Sequence, residues 1–201
     1  MVFSSAVAAQ QIYANSVSAE VSRTPFVDSS FDFSCSCFVL EQLPPLIAAV
    51  TLREMLRVLR PGGKFIALMD LHCDRPFLRR LREQHPTAYQ GSIIDFPGYR
   101  GLVSATQWHK AVTAVGFKIR VWRQQSRVPI SDLATYAYFA SSPSAPQHLR
   151  LLGKGALWLA HKSSWGSMYQ IGLTLLDDLC GWILPRRWAL RVLFVLEKPQ
   201  E

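Results

Sequence analysis

The chain has 201 residues, 49% of them hydrophobic and 18% charged, with a formal net charge of +8. That length holds one core with a small appendage, and that composition excludes a disordered chain. Four cysteines without metal-ligand spacing exclude a zinc module, since Cys35-Ser36-Cys37 is too tight and strand-like and Cys73 and Cys180 stand alone.

The first segment, Ser5 to Ala14, reads as a helix with Val7, Ile12 and Tyr13. It lacks the positive start and long apolar core of a targeting peptide. Phe31 to Leu40 is a strand-like run with no charge after Asp32. An uncharged strand on both sides is expected to be covered on both faces, as in a parallel sheet. Leu43-Pro44-Pro45 breaks the chain. Leu46, Ile47, Val50, Leu52, Met55, Leu56 and Leu59 then form an apolar stripe, with Arg53, Arg57 and Arg60 off it. Pro61-Gly62-Gly63 is expected to end that helix. Lys64 to Met69 is a second buried-type strand, closing at Asp70.

Strand, helix and strand at this spacing make a right-handed βαβ unit. Ligands of open α/β sheets sit at the carboxyl ends of the strands. The functional edge is therefore expected at Cys37 to Gln42 and Asp70 to Asp74. Further on, Ser104-x-x-Gln107 is a capping box for a helix through Trp108, Ala111, Val112 and Val115, with Gly116 as its C-terminal cap. Phe117 to Trp122 and Ala189 to Leu196 are the remaining strands.

Residues 124–188 separate those two strands, more than an ordinary connection. Helices are expected at Ser131 to Ala140, Gln147 to Lys162 and Ser167 to Leu184, with a linker at 141–146. In the last helix Ile171, Leu175, Leu179, Trp182 and Ile183 form a stripe, while Asp177 and Asp178 exclude a simple membrane span. A cap packed over the substrate mouth is the preferred reading. Peripheral membrane contact through Trp158, Trp165, Trp182, Trp188, Arg186 and Arg187 is the alternative.

The order Pro25-Phe26, Ser30-Phe31-Asp32, Leu40-Glu41-Gln42-Leu43, Arg57-Val58-Leu59-Arg60-Pro61-Gly62-Gly63 and Gly116-Phe117 resembles a class I S-adenosylmethionine-dependent methyltransferase of the type 11 group. Gln42 stands where that family usually has His. The resemblance covers roughly residues 5 to 123. It implies an α/β fold with a Rossmann-like sheet: a partial methyltransferase domain at 1–123, a helical insertion or cap at 124–188 and a final strand at 189–201. It implies S-adenosylmethionine as cofactor, with Glu20 on the adenine amino group, Val21 flanking the ring, and Cys37, Phe38 and Gln42 beside the cofactor. A carboxylate at Glu20 suits an exocyclic amine, being an acceptor.

The family's Gly-x-Gly-x-Gly loop and first two strands would precede residue 5, and no glycine occurs before Gly62. The expectation is a fragment of a longer enzyme. The other readings are a degenerate paralogue, or a chain completed by a partner or by self-association through the exposed sheet edge.

Methyl transfer needs a general base only where the acceptor sheds a proton. Asp70, His72 and Asp74 end the second strand and are the candidates, with Tyr99 placed to touch substrate. The expected activity is methyl transfer to a small molecule, with a lipophilic one suited to the aromatic insertion. A catalytically inactive binding protein is the alternative. Arginine spread through 53–60, 75–82, 120–127 and 186–191 reads as solvated faces, or as attraction to anionic lipid or an acidic partner. No basic–aromatic module points to nucleic acid. The cysteines read as buried reduced thiols of a cytoplasmic protein.

Overall fold

The computed structural model describes residues 15–128, 133–161 and 163–200. The helix expected at Ser5 to Ala14 lies outside them. Strand β1 is Phe31–Cys37, α1 is Pro45–Val58 and β2 is Leu59–Asp70. Next come α2 (Pro76–Gln84), the short α3 (Pro86–Tyr89), α4 (Ala105–Val115) and β3 (Lys118–Gln125). Between β3 and the last strand lie α5 (Leu133–Ser141), α6 (Gln147–His161) and α7 (Ser163–Cys180), and β4 (Arg191–Glu197) closes the sheet.

The sheet order is β1-β2-β4-β3. Strand β2 runs parallel to β1, and β4 runs antiparallel to both β2 and β3. This is the α/β, Rossmann-like class that the sequence implies. Along β4 the residues Val192, Phe194 and Leu196 are fully buried, and they pack with Phe65, Met69, Leu52 of α1, and Trp108 and Val112 of α4. Burying each such large apolar side chain stabilises the fold by about 1.5–3 kcal/mol. A second core joins Leu78 and Leu81 of α2 to Phe139 of α5 and Leu149 of α6.

Local signals fixed α4. Ser104 and Gln107 form both halves of the capping box, and Gly116 takes φ 106°. The Arg-Pro-Gly-Gly stretch differs from expectation. Helix α1 stops at Val58, and Leu59 is already extended. Pro61 disfavours helical Arg60, and the pairing partner of β1 jumps from Leu59 to Lys64. The stretch is therefore a bulge in β2. A Cβ at Gly63 would sit 2.8 Å from the Arg60 carbonyl oxygen, and the Gly62 N–H donates to the Lys198 carbonyl at 2.9 Å.

Two expectations about β1 are corrected. It is the edge strand, so Phe33 is 65% exposed instead of covered. For the same reason Cys35 and Cys37 are exposed, as is Cys180 on α7, and of the four free thiols Cys73 is the buried one. Residues 76–95, for which the sequence reading draws no boundaries, form α2, α3 and a π-turn at Gln90–Asp95.

The segment before β1 is tied to α1 by Glu54. Its carboxylate accepts from the Thr24 N–H at 2.8 Å, the Thr24 hydroxyl at 2.6 Å and the Arg57 guanidinium at 2.6 and 2.8 Å. Arg57, then the Thr24 donors, hold this carboxyl down at about 2 from an ordinary 4.5. A depressed acid stabilises the native state above its unfolded value, and that stability is lost as pH falls from 4.5 towards about 2. Glu54→Gln is expected to cost about 2 kcal/mol at pH 7 and to flatten the acid limb of stability in that window. Thermal melts across pH check this, and an unchanged acid limb would refute it.

Candidate active site

The carboxyl ends of β1 and β2 meet at a cleft. Just past the end of β1, Phe38 takes the left-handed φ of +54°. A 3-10 turn, Leu40–Gln42, follows. The Gln42 side-chain amide donates to the Phe38 carbonyl at 3.0 Å, closing the turn. Asp70 ends β2. Its carboxylate accepts from Arg191 Nε at 2.9 Å and from the Tyr99 hydroxyl. The Arg191 guanidinium carbon lies 5.2 Å from the centre of the Phe38 ring, a cation–π contact. Phe38, Glu41, Gln42, Asp70, Tyr99 and Tyr138 line this cleft of about 190 Å³.

Glu41 is the unusual residue. It is fully buried, and both carboxylate oxygens lack a hydrogen-bond partner among the described residues. Its carbonyl oxygen accepts from the Arg100 and Gly101 N–H groups at 3.1 and 2.9 Å, which folds the 95–101 loop over the turn. Burial, reinforced by the charge of Asp70, pushes its carboxyl up to about 7 from 4.5. Burial and Asp70 also hold the Tyr99 hydroxyl well above its ordinary value. A buried carboxyl poised near neutrality can take or give a proton. An unpaired acceptor and the Asp70 carboxyl group in one cleft suit a cationic or proton-donating ligand.

The candidate bases divide between two clefts. Asp70 belongs to this one. His72 and Asp74 line a separate groove of about 550 Å³ with Trp122, Arg127, Arg186 and Arg187, beside the start of α4. Arg82 sits against His72 Nε2 and donates to the Asp74 carboxylate at 3.1 Å. Burial, then Arg82, lowers the His72 pKa below its ordinary value. Asp74 is engaged in an ion pair.

Of the residues assigned to the cofactor, Cys37, Phe38 and Gln42 come together at the end of β1, with Cys37 and Gln42 exposed. Glu20 and Val21 lie in a turn closed by the Arg23 N–H on the Glu20 carbonyl, and the Glu20 carboxylate is exposed and accepts from the Ser22 hydroxyl at 2.7 Å. No described hydrogen bond joins them to the β1 end. Sequence reasoning put Glu41 on the functional edge without giving it a role, and missed Arg191. Glu41 was visible as a lone acid between Leu40 and Leu43, but nothing local marks it as buried.

Residues 2–67 match a family model described as "Methyltransferase domain". The chain is 34% identical over 94 residues to the ubiquinone/menaquinone biosynthesis C-methyltransferase of Bartonella henselae, covering 44% of this chain and 35% of that protein. It is 29% identical over 101 residues to the uncharacterized methyltransferase YodH of Bacillus subtilis, covering 50% of this chain and 38% of that one. The chain thus spans little more than a third of the length of these curated relatives. In fold it is similar to the crystal structure of a candidate methyltransferase of Bacillus halodurans, with TM-score 0.50 and 14% identity over 90% of this chain and 76% of that one.

Proposed function

We propose that this chain, whose residues 2–67 are a stretch of the methyltransferase domain family, forms the acceptor side of an S-adenosylmethionine-dependent methyltransferase acting on a small molecule. The observation that carries the reading is the cleft at the ends of β1 and β2, where a buried, unpaired Glu41 faces the same space as Asp70 and Tyr99. These residues fit the group: a sulfonium is a cation, and two carboxylates flank the cleft beside the Phe38 ring. Phe38, Gln42 and Cys37 would hold the cofactor at the end of β1, with Glu20 and Val21 on its adenine.

When bound, S-adenosylmethionine supplies an electrophilic methyl group on sulfur. Glu41 would take the proton that an acceptor hydroxyl or acidic carbon sheds on methylation. Asp70, held by Arg191, orients the Tyr99 hydroxyl over the acceptor. Positioning supplies much of the rate in such in-line transfers. An acceptor that partitions into lipid would suit the aromatic insertion.

Calorimetric titration of the full chain with S-adenosylmethionine tests the reading, followed by transfer of labelled methyl to quinol and phenol acceptors. Saturable binding that weakens in Phe38→Ala is expected. No binding at millimolar cofactor would sink catalysis by this chain alone.

A second reading rests on a separate observation, the outer edge of β1, which no other described strand pairs and where Phe33, Cys35 and Cys37 are exposed. A strand from a partner or a second copy would complete the sheet there. Sedimentation showing a dimer that Phe33→Lys disperses would favour it.

A further inference from the structure

Helix α7 is amphipathic the wrong way round for a packed cap. Met168, Ile171, Leu175 and Leu179 recur at helical spacing, and the stripe continues into Trp182 and Ile183 of the following turn. All six are between 57% and 75% exposed. A helix that served only the core would turn this stripe inward. Here Leu173 takes the inward position. The polar anchors of α7 also point away from the stripe. Asp177 accepts from the Ser126, Arg127 and Val128 N–H groups at 2.6–2.9 Å, which pins the helix to the end of β3. Asp178 pairs with Arg123.

We propose that this face of α7 and its turn docks onto an anionic lipid surface, a property independent of the methyl-transfer reading. Three observations select that occupant. Contiguous apolar exposure of this kind marks an interaction surface. The stripe ends at two exposed cations, Arg186 and Arg187, in a chain of net charge +8. That charge attracts anionic headgroups and repels a second copy bearing the same rim. Trp182 is suited to the headgroup boundary, because its indole N–H already donates to the Leu179 carbonyl at 2.9 Å and its ring enters with no unpaired donor. Among the described residues no helix is long and apolar enough to cross a membrane, so the helix lies in the interface plane. Docked this way, the groove lined by Arg186, Arg187 and Trp122 opens beside the bilayer.

The test is co-sedimentation of the full chain with phosphatidylcholine vesicles and with vesicles containing phosphatidylglycerol. Binding is expected to the anionic vesicles and to weaken with added salt. Brominated lipid is expected to quench tryptophan emission, and Trp182→Phe to remove most of that quenching. Leu179→Glu, at an exposed position that leaves the fold intact, is expected to weaken binding at least tenfold, roughly what losing one buried leucine gives. The double variant Arg186→Glu with Arg187→Glu is expected to lower the preference for anionic lipid about tenfold or more. Protein left in the supernatant with anionic vesicles overturns the proposal. So does unchanged binding by Leu179→Glu, or a solution dimer that Leu179→Glu splits while the wild type ignores lipid.

Discussion

Glu41→Gln is expected to stabilise the protein at pH 8 and, on the proposed reading of the cleft, to lower methyl transfer by about 10²–10⁴-fold, the usual loss of a general base. The sign follows from a raised acid. Glu41 titrates near 7 in the folded chain against 4.5 when exposed. Its favourable contribution is complete below 4.5 and disappears as pH rises to about 7. Above that, the native state carries a buried carboxylate that burial disfavours by about 3 kcal/mol. Gln removes this penalty but buries an amide whose unpaired groups cost about 1–2 kcal/mol. The net gain at pH 8 is about 1–2 kcal/mol, and the fall in stability between pH 4.5 and 7 should flatten. Urea melts at several pH values and a methyl-transfer assay check the two halves. A variant that loses stability at pH 8, or keeps full activity, would contradict the role given to Glu41. Glu54 acts at the other end of the scale, so the two carboxyls leave distinct signatures in one pH series.

Arg75→Met is expected to lower the melting temperature by roughly 6–12 °C, which is about 3 kcal/mol for a chain of this size. Arg75 is fully buried. Its Nε donates to the Trp188 carbonyl at 3.1 Å, and its guanidinium also donates to the Ser126 carbonyl. One side chain thus joins the segment after β2, the end of β3 and the turn before β4. Met fills similar space and packs without strain, but leaves the Trp188 carbonyl without its donor in a dry site. Calorimetry reads the shift, and a change under about 2 °C would show that the guanidinium is dispensable. The amides held by Asp177 should then exchange faster, because they belong to Ser126 and the two residues after it.

Much of the architecture was legible because it rests on local rules. The Ser104–Gln107 box and Gly116 fix α4 within one turn at each end. The alternation of Val192, Phe194 and Leu196 declares β4. The Arg-Pro-Gly-Gly stretch was read as a helix stop, yet α1 ends at Val58, since pairing with β1 and with Lys198 draws the chain into β2 first. The apolar stripe of α7 was equally visible, but periodicity says only that one face is apolar. Asp177, which reads as a mere obstacle to a membrane span, decides the orientation by binding three amides fifty residues away in sequence.

The sequence by itself determined the elements outside residues 76–95, their order and the family resemblance, because caps, turns and periodicity act over a few residues. The tertiary structure alone decided which polar groups lost their water. It made β1 an edge and exposed its cysteines, parted Asp70 from His72 and Asp74, and buried Glu41 beside Asp70 without a partner. Desolvation depends on every neighbour that closes over a group, and those neighbours come from segments far apart in the chain.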